Sequence, residues 1–461
     1  MRAHEAGALH GDLGNRGPAW LRTPEDVNAL VPQLWPRTVT RADSGALEIG
    51  GVSVLDLAAE HGTPAYLLDE DDLRSRCREF AAAFAGADVY YAGKSFLCKA
   101  VVKVIGEEGL FLDVCSGGEL AVALAAGFPA ERMGFHGNNK SLSELSRALD
   151  AGVGRIILDS FQEIDRLTAL ARESGRRPKV LIRVTVGVEA HTHEFIATAH
   201  EDQKFGFSLA GGAAFEAAIR VLDEGVLDLL GLHSHIGSQI FDTSGFEVAT
   251  RRVLALQAQI RDARGVELVE LDLGGGFGIA YTTQDDPSPA GDLAKRINKI
   301  VDAECAAENL GRPRLSIEPG RALVGPAVFT LYEVGTVKDV DGIRTYVSVD
   351  GGMSDNIRTA LYDASYSATL AGRKSEAPPL LARVVGKHCE SGDIVVKDEF
   401  LPADVQPGDL LAVPGTGAYC RSMASNYNHV PRPPVVAVRD GASRVIVRRE
   451  TEDDLLALDV G

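Results

Sequence analysis

Eight short apolar runs, each closing on polar residues and each followed by a stretch of helical periodicity, organise the middle of the chain. They are DVYYAGKS (88–95), LFLDVCS (110–116), RMGFHGNN (132–139), RIILDS (155–160), KVLIRVTV (179–186), LLGLHSHIGS (229–238), LVELDLGGG (268–276) and RLSIEPGR (314–321). Their apolar residues are successive rather than alternate, the pattern of strands covered on both faces. Between them, segments such as SLSELSRALDAG and SFQEIDRLTALARESG show helical spacing and end in glycine, which predicts amphipathic helices. Eight strand–helix units across this length predict a (β/α)8 TIM-like barrel, where a doubly wound sheet would supply fewer strands.

The pattern changes near residue 326. TLYEVGTVKDV, TYVSVDGG, LLARVVGKHCESGDIVV, DLLAVPG, VVAVRDG and RVIVRRE read as short strands divided by Gly, Pro and Asp turns. Residues 326–461 are therefore expected to form an all-β domain, Greek-key or sandwich-like. Residues 1–35, rich in Gly, Pro and charge, are expected to be a loose extension. Residues 36–64 contain ALEIGGVSVLDLAAEHG and are expected to lend one strand to the β-domain before a barrel spanning 65–325.

Composition narrows the function class. The 461 residues carry a formal net charge of −18, which argues against a general nucleic-acid binder and against an anionic membrane surface. The first thirty residues hold no uninterrupted apolar run, so neither a signal peptide nor a membrane span is expected. Six cysteines (77, 98, 115, 305, 389 and 420) lack CxxC spacing, which fits a reduced cytoplasm rather than a disulfide framework or a zinc ribbon.

Every predicted barrel strand ends in groups able to do chemistry: Lys94; Asp113 with Ser116; His136 with Asn138; Asp159; Arg183; His235 with Ser238; Asp272 before three glycines; and Glu318 with Arg321. Active sites of such barrels are built at these carboxyl ends. Lys94 alone is ambiguous, because a lysine there can bind phosphate, form a Schiff base or snorkel to water. A partly desolvated site would favour the neutral amine that Schiff-base chemistry needs. The glycines at 274–276 fail the dinucleotide fingerprint, since Ile279 stands where its third glycine belongs, but their N–H groups could close on a phosphate. In SIEPGR, Glu318 follows a strand-like run and should face the barrel mouth. HTH at 191–193, with His200, lacks a supporting acid or cysteine and reads as a polar loop rather than a metal site. KHCESGD at 387–393 puts a thiol beside a carboxylate, a combination suited to proton donation.

Lys94, HIGS (235–238), GGG, EPGR (318–321) and CESGD (389–393), in that order, give a chain that resembles diaminopimelate decarboxylase. That family comprises pyridoxal 5'-phosphate enzymes of the alanine-racemase-like fold, fold type III. The likeness extends from about Trp35 to the C-terminus through HGNNKS (136–141), AHTHEFIATAHEDQKFG (190–206), GLHSHIGSQ (231–239), DGGMSDNIRTALY (350–362), GAYCRSMASNYN (417–428) and RRET (448–451). Two departures are Gly93 with Ser95-Phe96 around the lysine, and PGTGAY at 414–419 in place of a more alanine-rich run.

The resemblance implies decarboxylation of meso-2,6-diaminopimelate to L-lysine and CO2, with Lys94 as the Schiff-base lysine and Cys389 as proton donor. It implies that Glu318 pairs with the pyridine nitrogen and His235 stacks on the ring. Ser238, Gly275, Gly276 and Tyr419 would hold the phosphate, with Pro319, Gly320 and Arg321 beside them. Arg321, Arg358, Tyr362, Glu390 and Tyr419 would read the substrate, and a head-to-tail homodimer with shared sites is implied. The rival readings are a basic amino-acid decarboxylase, an amino-acid racemase and a non-catalytic pyridoxal-phosphate regulator. Two arginines with one glutamate match a distal zwitterion better than a bare distal cation.

Overall fold

The computed structural model describes residues 17–187 and 203–461, and the chain divides into two compact units. One unit comprises residues 74–278 and 287–323. Its eight parallel strands are β1 (Asp88–Ala92), β2 (Phe111–Val114), β3 (Met133–Phe135), β4 (Arg155–Leu158), β5 (Lys179–Thr185), β6 (Asp228–His233), β7 (Glu270–Asp272) and β8 (Arg314–Ile317). Each pairs with the next, and β8 pairs with β1, so the barrel is closed. All eight coincide with the runs predicted from sequence. They are buried almost throughout, as successive apolar positions require.

Strand-to-helix junctions follow local chemistry. Ser116, Ser141 and Ser160 cap the helices Gly117–Ala125, Leu142–Ala151 and Phe161–Ser174, each accepting a backbone N–H from the glutamate three residues on. Two of these helices end at Gly152 and Gly175 in the left-handed conformation, as the sequence predicted. These serines sit just past β2, β3 and β4, so the caps also fix where the strand-tip side chains emerge.

The second unit comprises residues 1–73, 279–286 and 324–461. Its strand-rich sheet runs 394–402, 379–385, 344–349, 328–340, 65–69, 435–439, 442–447, with 410–414 also pairing to 328–340 and 369–370 to 410–414. Pairing is antiparallel except between 344–349 and 379–385 and between 65–69 and 435–439. Three short helices, Val54–His61, Arg358–Tyr362 and Glu452–Leu456, accompany the strands.

Three expected boundaries shift. Ala65–Asp69 was assigned to the barrel, but its backbone pairs with Val328–Leu331 on one side and Val435–Val438 on the other. The barrel unit accordingly starts at 74 rather than 65. The 36–64 lead-in lends no strand to the large sheet; it forms its own three-stranded sheet, 40–41, 47–49 and 52–53. The end of the supposedly loose extension is packed: Leu34 and Trp35 are buried in the core with Leu47, Phe329, Leu331 and Val436, and the Asn28 amide and Ser375 exchange hydrogen bonds. Burying one aromatic of this size offsets roughly 1.5–3 kcal/mol of ordering entropy, enough to hold the short segment.

Candidate active site

At the carboxyl ends of the barrel strands lies a cavity of about 240 Å³, lined by Lys94, Asp113, His136, Arg183, Phe205, His233, His235 and Glu318 among others. A single water needs only roughly 10–15 Å³, so this is a ligand-sized space. Lys94 follows β1 on a tight turn, Gly93–Ser95, and its side chain is exposed. The partly desolvated amine expected from sequence is therefore not supplied by burial within this unit; what surrounds it is a set of buried carboxylates and imidazoles.

The centre of that set is Glu318, just past β8 and 7% exposed. Its Oε1 lies 3.0 Å from His136 Nε2 and 3.2 Å from His233 Nε2. Burial alone would raise the Glu318 carboxyl, but the two imidazoles hold it well below the usual range. His136 also contacts Asp113 Oδ1 at 3.2 Å. Burial opposes its protonation, yet Glu318 and Asp113 together raise it to about 10. Burial takes His233 the other way, to about 4, against the pull of Glu318. Burial raises Asp113 to about 7, with Glu318 adding and His136 opposing. At neutral pH the cluster thus carries an imidazolium at His136, a carboxylate at Glu318 and a neutral ring at His233. These three are also the group, among the described residues, whose ligand-type atoms fall within 4.8 Å of one another. The carboxylate oxygen sits against both rings at ion-pair distance, so the three serve as one another's partners.

A second wall, behind His235 and Glu318, is built from glycines at which a side chain would overlap neighbouring backbone. An added Cβ on Gly274 would lie 2.6 Å from the Ser234 carbonyl oxygen, on Gly275 2.3 Å from that of Glu318, and on Gly276 2.7 Å from that of Gly237. Gly274 and Gly276 also have φ of +68° and +108°, where L side chains are strained. The Gly275 N–H donates to His235 Nδ1 at 3.1 Å, so the His235 proton sits on Nε2. Burial, with the Lys94 and Arg183 cations, keeps that ring neutral. Arg321 Nη2 donates to Ser238 Oγ at 2.8 Å. On Gly320 a Cβ would meet Ala92 Cβ at 2.9 Å and Ser95 Oγ at 3.0 Å, so the EPGR turn can lie against the turn that carries Lys94. The Ala92 N–H donates to the Pro319 carbonyl at 3.4 Å.

Lys94, His235, Ser238, Gly275, Gly276, Glu318, Pro319, Gly320 and Arg321 therefore share the barrel unit. The other sequence-predicted residues belong to the sheet unit. Arg358 is buried there, its Nη1 donating to Tyr366 OH at 2.7 Å and its guanidinium 4.9 Å from the Tyr281 ring centroid. Tyr362 lies at 6.0 Å on the same guanidinium. Burial disfavours the Arg358 charge, but the phenols of Tyr281 and Tyr366 more than offset this and its pKa is raised. Tyr419 sits after Leu410–Pro414 with φ of +65°. Cys389 and Glu390 are on an exposed turn, where the Cys389 N–H donates to Asn428 Oδ1 at 3.2 Å. The histidine loop at 191–193, with His200, lies outside the described residues.

Sequence reasoning missed His233, Phe205, Tyr281 and Tyr366, and gave Asp113, His136 and Arg183 no role. The Arg183 guanidinium stacks 4.5 Å from the Phe205 ring. A signal for His233 was present: HSH at 233–235 puts two imidazoles on one side of an extended chain.

These residues fit pyridoxal phosphate. A buried, ionised carboxylate suits a protonated ring nitrogen. Ser238 and Arg321 offer an anion a hydroxyl and a guanidinium, and a primary amine lines the same cavity as that carboxylate. Residues 70–325 match the family described as "Pyridoxal-dependent decarboxylase, pyridoxal binding domain". The chain is 59% identical over 440 residues to diaminopimelate decarboxylase of Mycobacterium bovis, covering 94% of this chain and 98% of that one. It is 56% identical over 471 residues to that of Mycobacterium leprae, covering both in full. Among solved structures it is similar to diaminopimelate decarboxylase from M. jannaschii in co-complex with L-lysine, with a TM-score of 0.86, 32% identity, and 92% and 98% of the two chains covered.

Proposed function

The chain belongs to the diaminopimelate decarboxylases, within the pyridoxal-dependent decarboxylases, and from that premise we propose how its own residues divide the work. It is a carboxy-lyase that uses pyridoxal phosphate to convert meso-2,6-diaminopimelate to L-lysine and CO2. The observation that carries the site assignment is the pairing, on one cavity, of the Lys94 amine with a Glu318 carboxylate kept ionised by His136 and His233.

Pyridoxal phosphate, when bound, supplies a sink for the electron pair left at the α-carbon as CO2 departs. Lys94 would hold it through Nζ. Glu318 would keep a proton on the ring nitrogen, which preserves the sink. His235, neutral and fixed by the Gly275 N–H, would cover one face of the ring. Gly275, Gly276, Ser238, Arg321 and Tyr419 would hold the phosphate, flanked by Pro319 and Gly320. Arg358, Tyr362, Glu390, Arg321 and Tyr419 would recognise the distal end of the substrate. An Arg358 whose charge is supported by Tyr281 and Tyr366 suits a distal carboxylate. Cys389 would return a proton to the α-carbon.

Cys389 and Glu390 lie on an exposed turn, which favours a homodimer in which each chain lends this turn to its partner's site. The six cysteines, all in the thiol form in the structure, favour a reducing, cytoplasmic setting. The reaction is tested by supplying meso-diaminopimelate to the pyridoxal-phosphate-loaded protein and following CO2 and L-lysine. Wild type should give both and Lys94→Ala neither. Lysine from the alanine variant would remove Lys94 from its assigned role.

A further inference from the structure

Five acidic and imidazole groups, Asp113, His136, His233, Asp272 and Glu318, cluster at or beside the cavity, and the roles above use only Glu318 among them. His136 is the one that touches two carboxylates, Asp113 on β2 and Glu318 beyond β8. The groups around this cluster are His233 on β6, Asp272 on β7, Arg183 on β5 and Lys94 beyond β1.

Several features look built to seat this one ring. The His136 backbone N–H donates to the Val114 carbonyl oxygen at 2.8 Å. The next carbonyl, Gly137 O, accepts from Lys140 Nζ at 2.7 Å. Lys140 is itself buried, and it also donates to Ile157 O at 2.8 Å and Glu163 Oε1 at 2.6 Å. Strand β3 has a glycine at 134, two residues before the histidine. A Cβ there would lie 2.9 Å from Asp113 Oδ1 and 3.6 Å from His136 Nε2. The missing side chain is what lets Asp113 reach the imidazole. His233 packs edge-on against the ring, centroids 5.0 Å apart, and blocks its remaining freedom. None of the roles assigned above uses this ring, although it lines the cavity beside Lys94 and Glu318.

We propose that His136 is a positioning residue for the decarboxylation, acting through Glu318: clamped by Asp113 and the Lys140-held loop, it orients the carboxylate and keeps it charged for the ring nitrogen. The inference rests on the assignment of Glu318 to that nitrogen. Without His136, three carboxylates (Asp113, Asp272 and Glu318) would face one another with a neutral His233 as the nearest ring. Glu318 would then take up a proton or turn toward another partner, since like charges at this range do not all stay ionised.

A double-mutant cycle in the full-length protein separates this inference from its premise. His136→Gln, Glu318→Gln and the double variant are each stripped of cofactor and titrated with pyridoxal phosphate. Dissociation constants and the absorbance of the bound form are followed, and kcat and KM are then measured with meso-diaminopimelate. Expected for His136→Gln are a cofactor dissociation constant at least tenfold weaker and a kcat 10–100-fold lower, with KM within threefold. In the Glu318→Gln background the same change should add less than twofold. A cofactor titration and turnover like wild type for His136→Gln would overturn the inference. So would an effect that persists undiminished beside Glu318→Gln. If Glu318→Gln itself changes neither spectrum nor kcat, the assignment of Glu318 fails first and the inference goes with it. Should His136→Gln not fold, Asp113→Asn takes its place. It leaves the imidazole but removes the second carboxylate that keeps it protonated, so the alkaline limb of kcat should move to lower pH. An unmoved limb overturns the inference.

Discussion

Alanine at position 275 tests the glycine wall with one methyl group. The added Cβ would stand 2.3 Å from the Glu318 carbonyl oxygen, whereas ordinary van der Waals contact begins at 3.4 Å. The Cβ is fixed to one backbone segment and its neighbour is backbone, so no rotamer change relieves the overlap, and the two segments must part by up to about 1.1 Å, the difference between those distances. Overpacking of this kind costs about 1–3 kcal/mol of stability, which the barrel should survive. Function is more exposed, because the displaced strand end carries Glu318 and the displaced loop carries the N–H that fixes His235. A misplacement of about 1 Å at a reacting centre costs on the order of 100-fold in rate. Gly275→Ala should therefore fold, melt a few degrees lower, and lose about 100-fold in kcat/KM for meso-diaminopimelate. The control is Gly291→Ala, in the helix Ala290–Ala307, where nothing lies within 4 Å of the new Cβ. That change should leave turnover unaltered and stability within about 0.5 kcal/mol of wild type. Differential scanning calorimetry with steady-state kinetics reads both. Wild-type kcat/KM in Gly275→Ala would refute the claim that this wall sets the geometry of the site.

Tyr366→Phe removes the hydroxyl that accepts from Arg358 Nη1; KM for meso-diaminopimelate should rise about tenfold while the cofactor absorbance and kcat hold within about threefold. Lys140→Met leaves Glu163 buried without its cation and should cost about 3–5 kcal/mol in urea unfolding, whereas Lys140→Met with Glu163→Met should recover most of that loss. Asp355 is buried in the sheet unit, and burial raises its carboxyl to about 7. A carboxyl raised in the folded state binds its proton more tightly there than in the unfolded chain, so stability should fall as pH climbs from about 4 to 7 and level off above. Asp355→Asn should flatten that part of the pH–stability curve, and a slope equal to wild type would contradict it.

The barrel was legible because its strands announce themselves: short, mostly apolar stretches of three to seven residues that run into polar tips. The strand Ala65–Asp69 shows where such reading ends. AYLLD is as apolar as any barrel strand and fully buried, but nothing in five residues specifies which sheet will supply its partners. Those partners lie more than 250 positions away. Leu34 and Trp35 carried a warning of burial that the surrounding glycines, prolines and charges obscured. At the site, Lys94 and Glu318 could be picked out because motif and strand end coincide. The arrangement around Glu318 could not, since His136 and His233 meet one carboxylate oxygen only after β3, β6 and β8 have closed into a ring. Tyr281 and Arg358 are 77 positions apart and meet only in the folded sheet unit.

The place of Ala65–Asp69 in its sheet has a consequence for synthesis on the ribosome. Its two neighbours in the finished sheet begin at residues 328 and 435, so 259 residues must follow Asp69 before the first exists and 366 before the second. At 5–20 residues per second the strand waits roughly 13–50 s for one side to be paired and 18–75 s for both. During that interval most of residues 74–323 has been made and can close its eight-stranded ring. The nascent chain thus carries an apolar strand with both edges open while more than half of its residues are added, and holdase chaperones should engage this protein near its N-terminus rather than at the barrel.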